Sequence, residues 1–459
     1  MPPSSSRQSP FAIRNVRLFI AFRVFFNARF YYPIFTVLFL DFGLTLSQFA
    51  ILNAIWAAVI VLSEVPSGAL ADTFGRRNLL VFAGLLMVIE IGLLLFVPRG
   101  NLDLLFGVFV LNRILSGLAE ASASGADEAL AYDSLKLHGD AGDWGRVLER
   151  QIQMQSVGFV FAMALGGAVY DLDVLQAVVD FFGMDLTVTR ESTLRIPIAL
   201  TMVMAVLTLA TTLLMRDVEA PGGGSGVPET KSMGDAFRLT FNAGRWILQT
   251  PFVLVLISFG VLFDSVIRMV LTMNSQYYRL IGLPESVFGI IGAGLALLGF
   301  VVPSLARRLA ERHTPMFNLA LVSAFVLCGL AGMSFFWPII GLIPALVLFA
   351  NMYFVGFFLS HYLNRATSSA QRATVLSFKG LFFNLGYGVV GLLYSLLLAF
   401  LRSAIELNRP EISEDALKNQ VFIDSMAWFP AYFAICLVGL LVFSAWVLRG
   451  GERHKLIQS

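Results

Sequence analysis

Hydrophobic positions along this chain do not alternate, and few of them form an amphipathic stripe. They fall into long, nearly uninterrupted runs. A bilayer core about 30 Å thick needs about 20 consecutive apolar residues at 1.5 Å per residue. Twelve runs reach that length, near 17–40, 47–71, 78–97, 103–126, 152–172, 195–215, 247–277, 286–306, 315–336, 339–363, 375–400 and 426–448. Each predicts a membrane-spanning helix. Residues 216–246, which begin RDVEAPGGGSG, are polar and rich in Gly and Pro, as a flexible linker is. The expected organisation is a short N-terminal segment (1–16), a six-helix bundle (17–215), the linker (216–246), a second six-helix bundle (247–448) and a tail (449–459). The segment 127–151 is mixed in charge and predicts an amphipathic connector at the membrane interface. Two further loops, near 173–194 and 401–425, are longer than the rest, and the second has the composition of a short surface helix.

Composition strengthens this picture. The 459 residues are 57% hydrophobic and only 14% charged, against roughly 25% charged in a soluble domain. Mean hydropathy is +0.78. The expected fold class is all-α, a polytopic membrane protein with twelve transmembrane helices in two six-helix bundles. A net charge of +2 gives no footprint for nucleic acid. Cys328 and Cys436 both lie inside apolar runs, which suits packing better than a disulfide or metal site.

Basic residues set the orientation. With the N-terminus inside, 20 of the 32 Lys and Arg fall in cytoplasmic segments, seven in outer loops and five within spans. Lys and Arg concentrate on the cytoplasmic side, so both termini are expected there. No cleavable signal peptide is evident, because the first span is too long for one. The expected location is a plasma membrane of prokaryotic type, the bacterial inner membrane.

Charges inside spans are costly and point to function by default. Arg113, Gly117 and Glu120 are spaced i, i+4, i+7 on one stripe of the fourth helix, with Arg113 and Glu120 about 10 Å apart along it. A static ion pair with neighbouring helices and a cavity-lining proton or substrate site both fit that stripe. Glu64 lies two turns before Asp72 in the second helix. An acid in such a place can carry a proton or simply bond an arginine. In the first helix, Arg23 and Asn27 share a face. Arg23 is near enough to the inner boundary to snorkel. Arg29 is deeper, so it is expected to be buried against Glu64 or Glu120. Asp264 and Arg268 are spaced i, i+4 near the middle of the seventh helix. They predict an intrahelical pair that is either neutralised or in contact with substrate. Lys379 is expected to snorkel, and His361 and Arg365 to be interfacial. Glu90, in the third helix, has no partner that the sequence suggests.

One turn is more specific. SGALADTFGRR, residues 67–77, ends an apolar run with an aspartate, a glycine and two arginines. Gly75 permits a tight turn. The arginines can reach anionic headgroups, the Asp72 carboxylate, or the C-terminal carbonyls of a neighbouring helix. The stretch GALADTFGRR resembles the G-x-L-a-D-r-x-G-r-[RK] signature of the major facilitator superfamily, in the corresponding loop of a twelve-helix chain. The resemblance implies a cytoplasmic latch made by Gly68, Asp72, Gly75, Arg76 and Arg77, which stabilises one end state and releases in the other.

Further features are similar to the drug/proton-antiporter branch. LNRILSGLAEA matches the R-x-x-x-G pattern of its fourth helix through Arg113 and Gly117. SEVPSGALAD resembles the second-helix ending of efflux-type members, and YYPIF a first-helix segment of exporter-like ones. The fifth helix keeps Gly158, Gly166 and Gly167 but lacks the proline that antiporters carry there. The second half has only a degenerate copy of the latch, VPSLARRLAERH.

No P-loop, H-E-x-x-H or catalytic triad signature occurs, so neither ATP drive nor enzymatic chemistry is expected. No cofactor is expected either. The resemblance implies a secondary active transporter whose two bundles rock around a central site. The expected mode is proton-coupled export of a small amphiphilic or drug-like compound by a monomer in contact with membrane lipids. Glu64, Arg113 and Glu120 are the candidates for proton coupling. Asn27, Arg29, Asp264 and Arg268 are the candidates for the substrate cavity. Buried arginines also suit a specific anionic metabolite, ion or siderophore, and a lipid flippase is a third reading.

Overall fold

The computed structural model describes residues 9–218, 238, 244–366 and 369–448. The chain is all-α, and the described residues contain no strand. In chain order the helices are α1 (Arg14–Asn27), α2 (Phe35–Phe42), α3 (Leu46–Phe74), α4 (Arg76–Phe96), α5 (Leu102–Ala123), α6 (Ala126–His138), α7 (Trp144–Tyr170), α8 (Leu172–Phe181) and α9 (Arg190–Leu214). They continue as α10 (Pro251–Thr272), α11 (Asn274–Leu280), α12 (Glu285–Arg312), α13 (Pro315–Met333), α14 (Leu342–Ala366), α15 (Ser369–Asn408), α16 (Glu414–Met426) and α17 (Trp428–Val447). Eleven helical segments among the described residues are long and apolar enough to cross a membrane. Most of the expected linker and all of the expected tail after Leu448 lie outside the described residues.

The first expected span is the one that differs. It is not one helix but two, α1 and α2, separated by residues 28–31 and a 3-10 turn over Tyr32–Ile34. Pro33 has no N–H to give and disfavours a helical residue before it. Locally, Arg29 N–H turns back to the Asn27 carbonyl at 3.0 Å and Tyr32 N–H to the Arg29 carbonyl at 3.2 Å. Hydropathy reports that a segment lies in the membrane, not that its helix is continuous.

The expected connectors are also more helical than their composition suggested. The fourth span ends at Ala123, Gly125 takes the left-handed conformation at φ +76°, and α6 continues to His138. The loop near 173–194 contains α8, capped by the Asp171 side chain. The loop near 401–425 contains the expected short helix, α16, capped by Ser413.

The described chain divides into two compact units, one made of Met1–Pro33 and Val59–Arg238, the other of Ile34–Ala58 and Leu239–Ser459. In the first, α4 packs against α5 and α9, and α1 against α6, α7 and α9. Lipid tails are as apolar as leucine, so helices in a bilayer associate through close packing at small residues and through polar contacts. Gly84 shows this: a Cβ there would sit 3.0 Å from the backbone of Leu209 in α9. At one end, Ile13, just before α1, and Val16 and Phe19 of α1 close on Ala131, Leu135 and Val147 of α6 and α7.

In the second unit α10 packs against α14, α15 and α17. Gly386 lies so close to Val261 that a Cβ would be 2.6 Å from its side chain. Segment 34–58 is held there by polar contacts. The N-cap position of α2 is Ile34, which has no capping oxygen. The Ser275 hydroxyl of α11 takes its place and accepts from the Thr36 and Val37 N–H groups at 3.0 and 3.1 Å. The Thr36 hydroxyl donates to the Thr272 carbonyl at 2.6 Å, and the Ser47 and Ser395 hydroxyls share a bond of 2.7 Å. Arg279 grips Asp41 with both terminal nitrogens at 2.8 and 2.7 Å and also pairs with Glu285.

Candidate functional site

The interruption between α1 and α2 is where the first unit concentrates its buried charge. At residues 28–31 the backbone leaves the helical ladder, so its polar groups need other partners. Phe30 N–H donates to the Thr201 hydroxyl of α9 at 3.0 Å. Gly166 of α7 lets the Phe30 carbonyl approach so closely that a Cβ there would lie 1.8 Å from that oxygen. Ala28, Phe30 and Ala162 fill the space around this crossing.

Arg29 extends from this segment into the protein, with 4% of its surface exposed. Its partner is Glu90 of α4, which is fully buried, and the two meet at 2.7 Å. The same Arg29 nitrogen donates to the Tyr31 hydroxyl at 3.0 Å. Asn112 of α5 donates to the Glu90 backbone carbonyl at 2.9 Å and to its carboxylate at 3.4 Å. The Asn112 carbonyl accepts two bonds from the Arg113 guanidinium, at 2.9 and 2.8 Å. A buried charge pair is tolerated when its remaining donors and acceptors are satisfied, and removing one partner costs about 3–5 kcal/mol. The expectation that Arg29 meets Glu64 or Glu120 is therefore corrected: its partner is Glu90. Glu90 was visible as an acid within an apolar run, but the partner across the interruption was not.

The Arg113–Glu120 stripe also resolves. Gly117 and Arg113 are buried, whereas Glu120 is exposed and its carboxylate has no hydrogen-bond or ion-pair partner among the described residues. Arg29, Arg23 and Glu90 are the charged groups whose fields reach it. Arg23 pairs with two acids at the start of α6. Asp127 lies in the first turn of α6 and is buried, and it takes the Arg23 guanidinium at 2.5 Å, with Glu128 adding a contact at 2.9 Å. Asn27 turns its amide onto the Arg23 carbonyl of its own helix at 2.8 Å. Glu64 is half-buried on α3, and one of its carboxylate oxygens is buried with no hydrogen-bond partner among the described residues.

In the second unit the Asp264–Arg268 pair forms within α10 as its spacing predicts. Arg268 also donates to Asn384 of α15 at 2.9 Å and lies over the Tyr387 ring at 5.2 Å. The same helix carries Lys379, whose ammonium lies 5.4 Å from the Phe383 ring.

The basic turn is a capping device. Four carbonyls at the end of a helix have no partner within it, and cations are favoured there. Arg77 donates to the Met215 carbonyl at 2.8 Å and the Leu213 carbonyl at 3.0 Å, at the end of α9. Arg14 adds a bond to Leu214 at 3.0 Å. Asn15 pairs with the Arg216 backbone in both directions, at 2.8 and 3.1 Å. Gly75, at φ +86°, brings the Arg77 N–H within 3.2 Å of the Asp217 carboxylate. Arg76 pairs with Asp133 of α6. The Gly68 and Asp72 side-chain positions lie outside the described residues.

Comparison with known proteins places this architecture. Among curated proteins no relative matches the chain. Solved structures of similar fold include the following three. A bacterial homolog of the human lysosomal transporter Spinster, inward-facing and unoccupied, has a TM-score of 0.71 at 15% identity, over 96% of this chain and 98% of that one. The nucleoside transporter NupG has a TM-score of 0.67 at 12% identity, over 95% and 99%. A D-xylose–proton symporter has a TM-score of 0.60 at 13% identity, over 92% and 97%. At these identities the likeness shows the fold alone. The Major Facilitator Superfamily profile matches residues 17–391, most of the chain. The protein belongs to the Major Facilitator Superfamily and is a multi-pass secondary transporter of that kind.

Proposed function

We propose that the protein couples proton movement to the export of a small amphiphilic organic cation, with Glu120 as the group that exchanges proton for substrate. One observation carries this reading: Glu120 is an exposed carboxylate within an apolar span, with no partner among the described residues. The nearby positive charges are already engaged, Arg23 by Asp127 and Glu128, and Arg29 by Glu90. A vacant carboxylate in such surroundings takes either a proton or a cation, and cannot hold both. With the site presented alternately to the two sides of the membrane, that competition gives antiport. Glu64 is the second candidate proton site.

The alternative, a polar or anionic metabolite, needs arginines free to receive it. Arg29 and Arg268 are paired with carboxylates and Arg113 donates twice to the Asn112 carbonyl, so the first two favour the cationic reading. A symporter of similar fold is named for its coupling to protons, so the fold is compatible with that driving force. Alternating access between two six-helix bundles, a bacterial inner membrane with both termini inside, and action as a monomer complete the proposal. In it, Gly68, Asp72, Gly75, Arg76 and Arg77 form the latch. The contacts of Arg76 with Asp133 and of Arg77 with the end of α9 support that role.

The test uses protein in proteoliposomes, an imposed pH gradient and ethidium as the probe. The unmodified protein is expected to move ethidium with the gradient, and a protonophore is expected to collapse that movement. Ethidium affinity is expected to rise with pH, because protons then compete less for Glu120. Glu120→Gln is expected to lose at least tenfold in driven transport and to flatten the pH dependence. Full gradient-driven transport in Glu120→Gln, with loss in Glu64→Gln instead, moves the proton site to Glu64. Full transport in both variants overturns the assignment.

A further inference from the structure

We infer that the second unit binds a membrane lipid: one acyl chain of an anionic phospholipid lies in a groove between α15 and α17, with the lipid phosphate at Arg245. The site involves neither Glu120 nor Glu64, so it holds whether or not the protein moves protons.

The floor of the groove is α10, which packs against both α15 and α17. Three cavities of about 250, 550 and 270 Å³ follow one another along it. Ser258, Val261 and Phe382 line both the first and the second, and Val390 and Tyr432 line both the second and the third. Leu385, Val389 and Leu393 line the groove and are also exposed, so it is open along its side. No described residue that lines it is charged. Its hydroxyls are largely spent elsewhere. Ser258 and Ser265 donate to the Leu254 and Val261 carbonyls of their own helix at 2.8 and 2.6 Å, and the Tyr394 and Ser425 hydroxyls share a bond of 2.8 Å. A polar ligand finds few partners here, whereas an apolar chain gives up nothing by entering.

The three helices lie in segments long and apolar enough to cross a membrane, so the medium beside the groove is acyl chain rather than water. From Phe378 to Leu397, which line its two ends, α15 advances about 28 Å, nearly the thickness of the hydrocarbon layer. That length suits chains lying along the bilayer normal rather than a compact solute. The cation at one end selects the lipid. Gly244 sits so close to Phe378 that a Cβ there would be 2.7 Å from the ring, and Phe378 lines the first cavity. The next residue, Arg245, is exposed and has no hydrogen-bond or ion-pair partner among the described residues. Trp246 follows it, and Trp428 lines the cavity at the other end. Tryptophan favours the membrane–water interface, and a basic side chain at headgroup level attracts anionic lipid. Groove and cation together are therefore complementary to an acyl chain and its phosphate.

The experiment supplies the full chain in dodecyl maltoside with dioleoyl phosphatidylglycerol or dioleoyl phosphatidylcholine and counts retained lipid by native mass spectrometry. One phosphatidylglycerol is expected to stay bound, at least fivefold more tightly than phosphatidylcholine. Gly439→Leu fills the middle cavity, and a Cβ at Gly439 meets nothing within 4 Å, so the fold is expected to tolerate it. Lipid retention is expected to fall at least fivefold in that variant. Arg245→Gln is expected to abolish the preference for phosphatidylglycerol and leave phosphatidylcholine binding unchanged. Cys436 also lines the middle cavity and reports on the groove without a substitution in it. In Cys328→Ser, where Cys436 is the single thiol, phosphatidylglycerol is expected to slow its alkylation by N-ethylmaleimide at least threefold, and inorganic phosphate to leave it unchanged. Equal retention in the parent and Gly439→Leu, or no protection of Cys436 by lipid, overturns the chain site. An unaltered headgroup preference in Arg245→Gln overturns the role of Arg245. Protection by inorganic phosphate alone overturns the lipid as its source. A dimeric mass that Gly439→Leu abolishes assigns the groove to a second copy of the chain and overturns the lipid altogether.

Discussion

At the scale of single residues, the most demanding position is Gly166. Its missing Cβ is what admits the Phe30 carbonyl, and the atom it would strike is backbone already fixed by Thr201. Overpacking of this kind costs about 1–3 kcal/mol and more where nothing can yield. Gly166→Ala is therefore expected to lower the thermal unfolding midpoint of the detergent-solubilised protein by several degrees. Gly158→Ala should cost less, because its Cβ would meet the tip of the Val24 side chain, at 2.9 Å. Gly145→Ala, with open space around it, should be neutral. Equal midpoints for all three would mean that the Phe30 crossing is not rigid. The sequence made these glycines visible as small residues suited to close packing, and the capping reach of Arg77 was among its readings. It could not say that Glu90 is the partner of Arg29, since pairing across helices depends on how each one is rotated. Periodicity fixes that rotation only within a helix.

At the scale of elements, α2 is an eight-residue helix that depends on a cap from elsewhere. Losing a hydroxyl N-cap typically costs about 1 kcal/mol. Ser275 supplies two bonds to α2 from a point about 240 residues further along the chain. Ser275→Ala is expected to speed hydrogen exchange at the Thr36 and Val37 amides about fivefold, the ratio that corresponds to about 1 kcal/mol. Ser258→Ala is the control, since that hydroxyl bonds its own helix at Leu254. Unchanged exchange in Ser275→Ala would assign the stability of α2 to packing alone. The long apolar runs were legible because a bilayer demands them, and eleven described segments answer to that demand. The interruption of the first span was not. Tyr31, Tyr32 and Pro33 mark it, yet what holds it open comes from Thr201, Gly166 and Glu90, each on a different helix.

At the scale of the whole molecule, the segment Ile34–Ala58 matters most, because it precedes the linker in sequence yet packs as part of the unit that follows it. Its ionic tie is Asp41 with Arg279, and Arg279 also carries Glu285. This arrangement makes the two ends of the tie unequal. Asp41→Asn leaves Arg279 with Glu285 still paired, so only part of the attraction is lost. Arg279→Gln leaves two carboxylates without the cation they share, and their mutual repulsion is added to the loss. A partly buried bidentate pair is stronger than an exposed one, which is worth about 0.2–1 kcal/mol. Arg279→Gln is thus expected to lower the unfolding midpoint by more than Asp41→Asn, with the difference shrinking as added salt screens the two acids. If segment 34–58 must detach during transport, weakening the tie also shifts the balance of end states, because a conformational equilibrium moves with any contact made in only one state. Ethidium turnover in proteoliposomes should then change in the same order, Arg279→Gln more than Asp41→Asn. Lower midpoints with unaltered turnover in both variants would make the tie a static brace, and the moving boundary would have to be sought elsewhere in the chain.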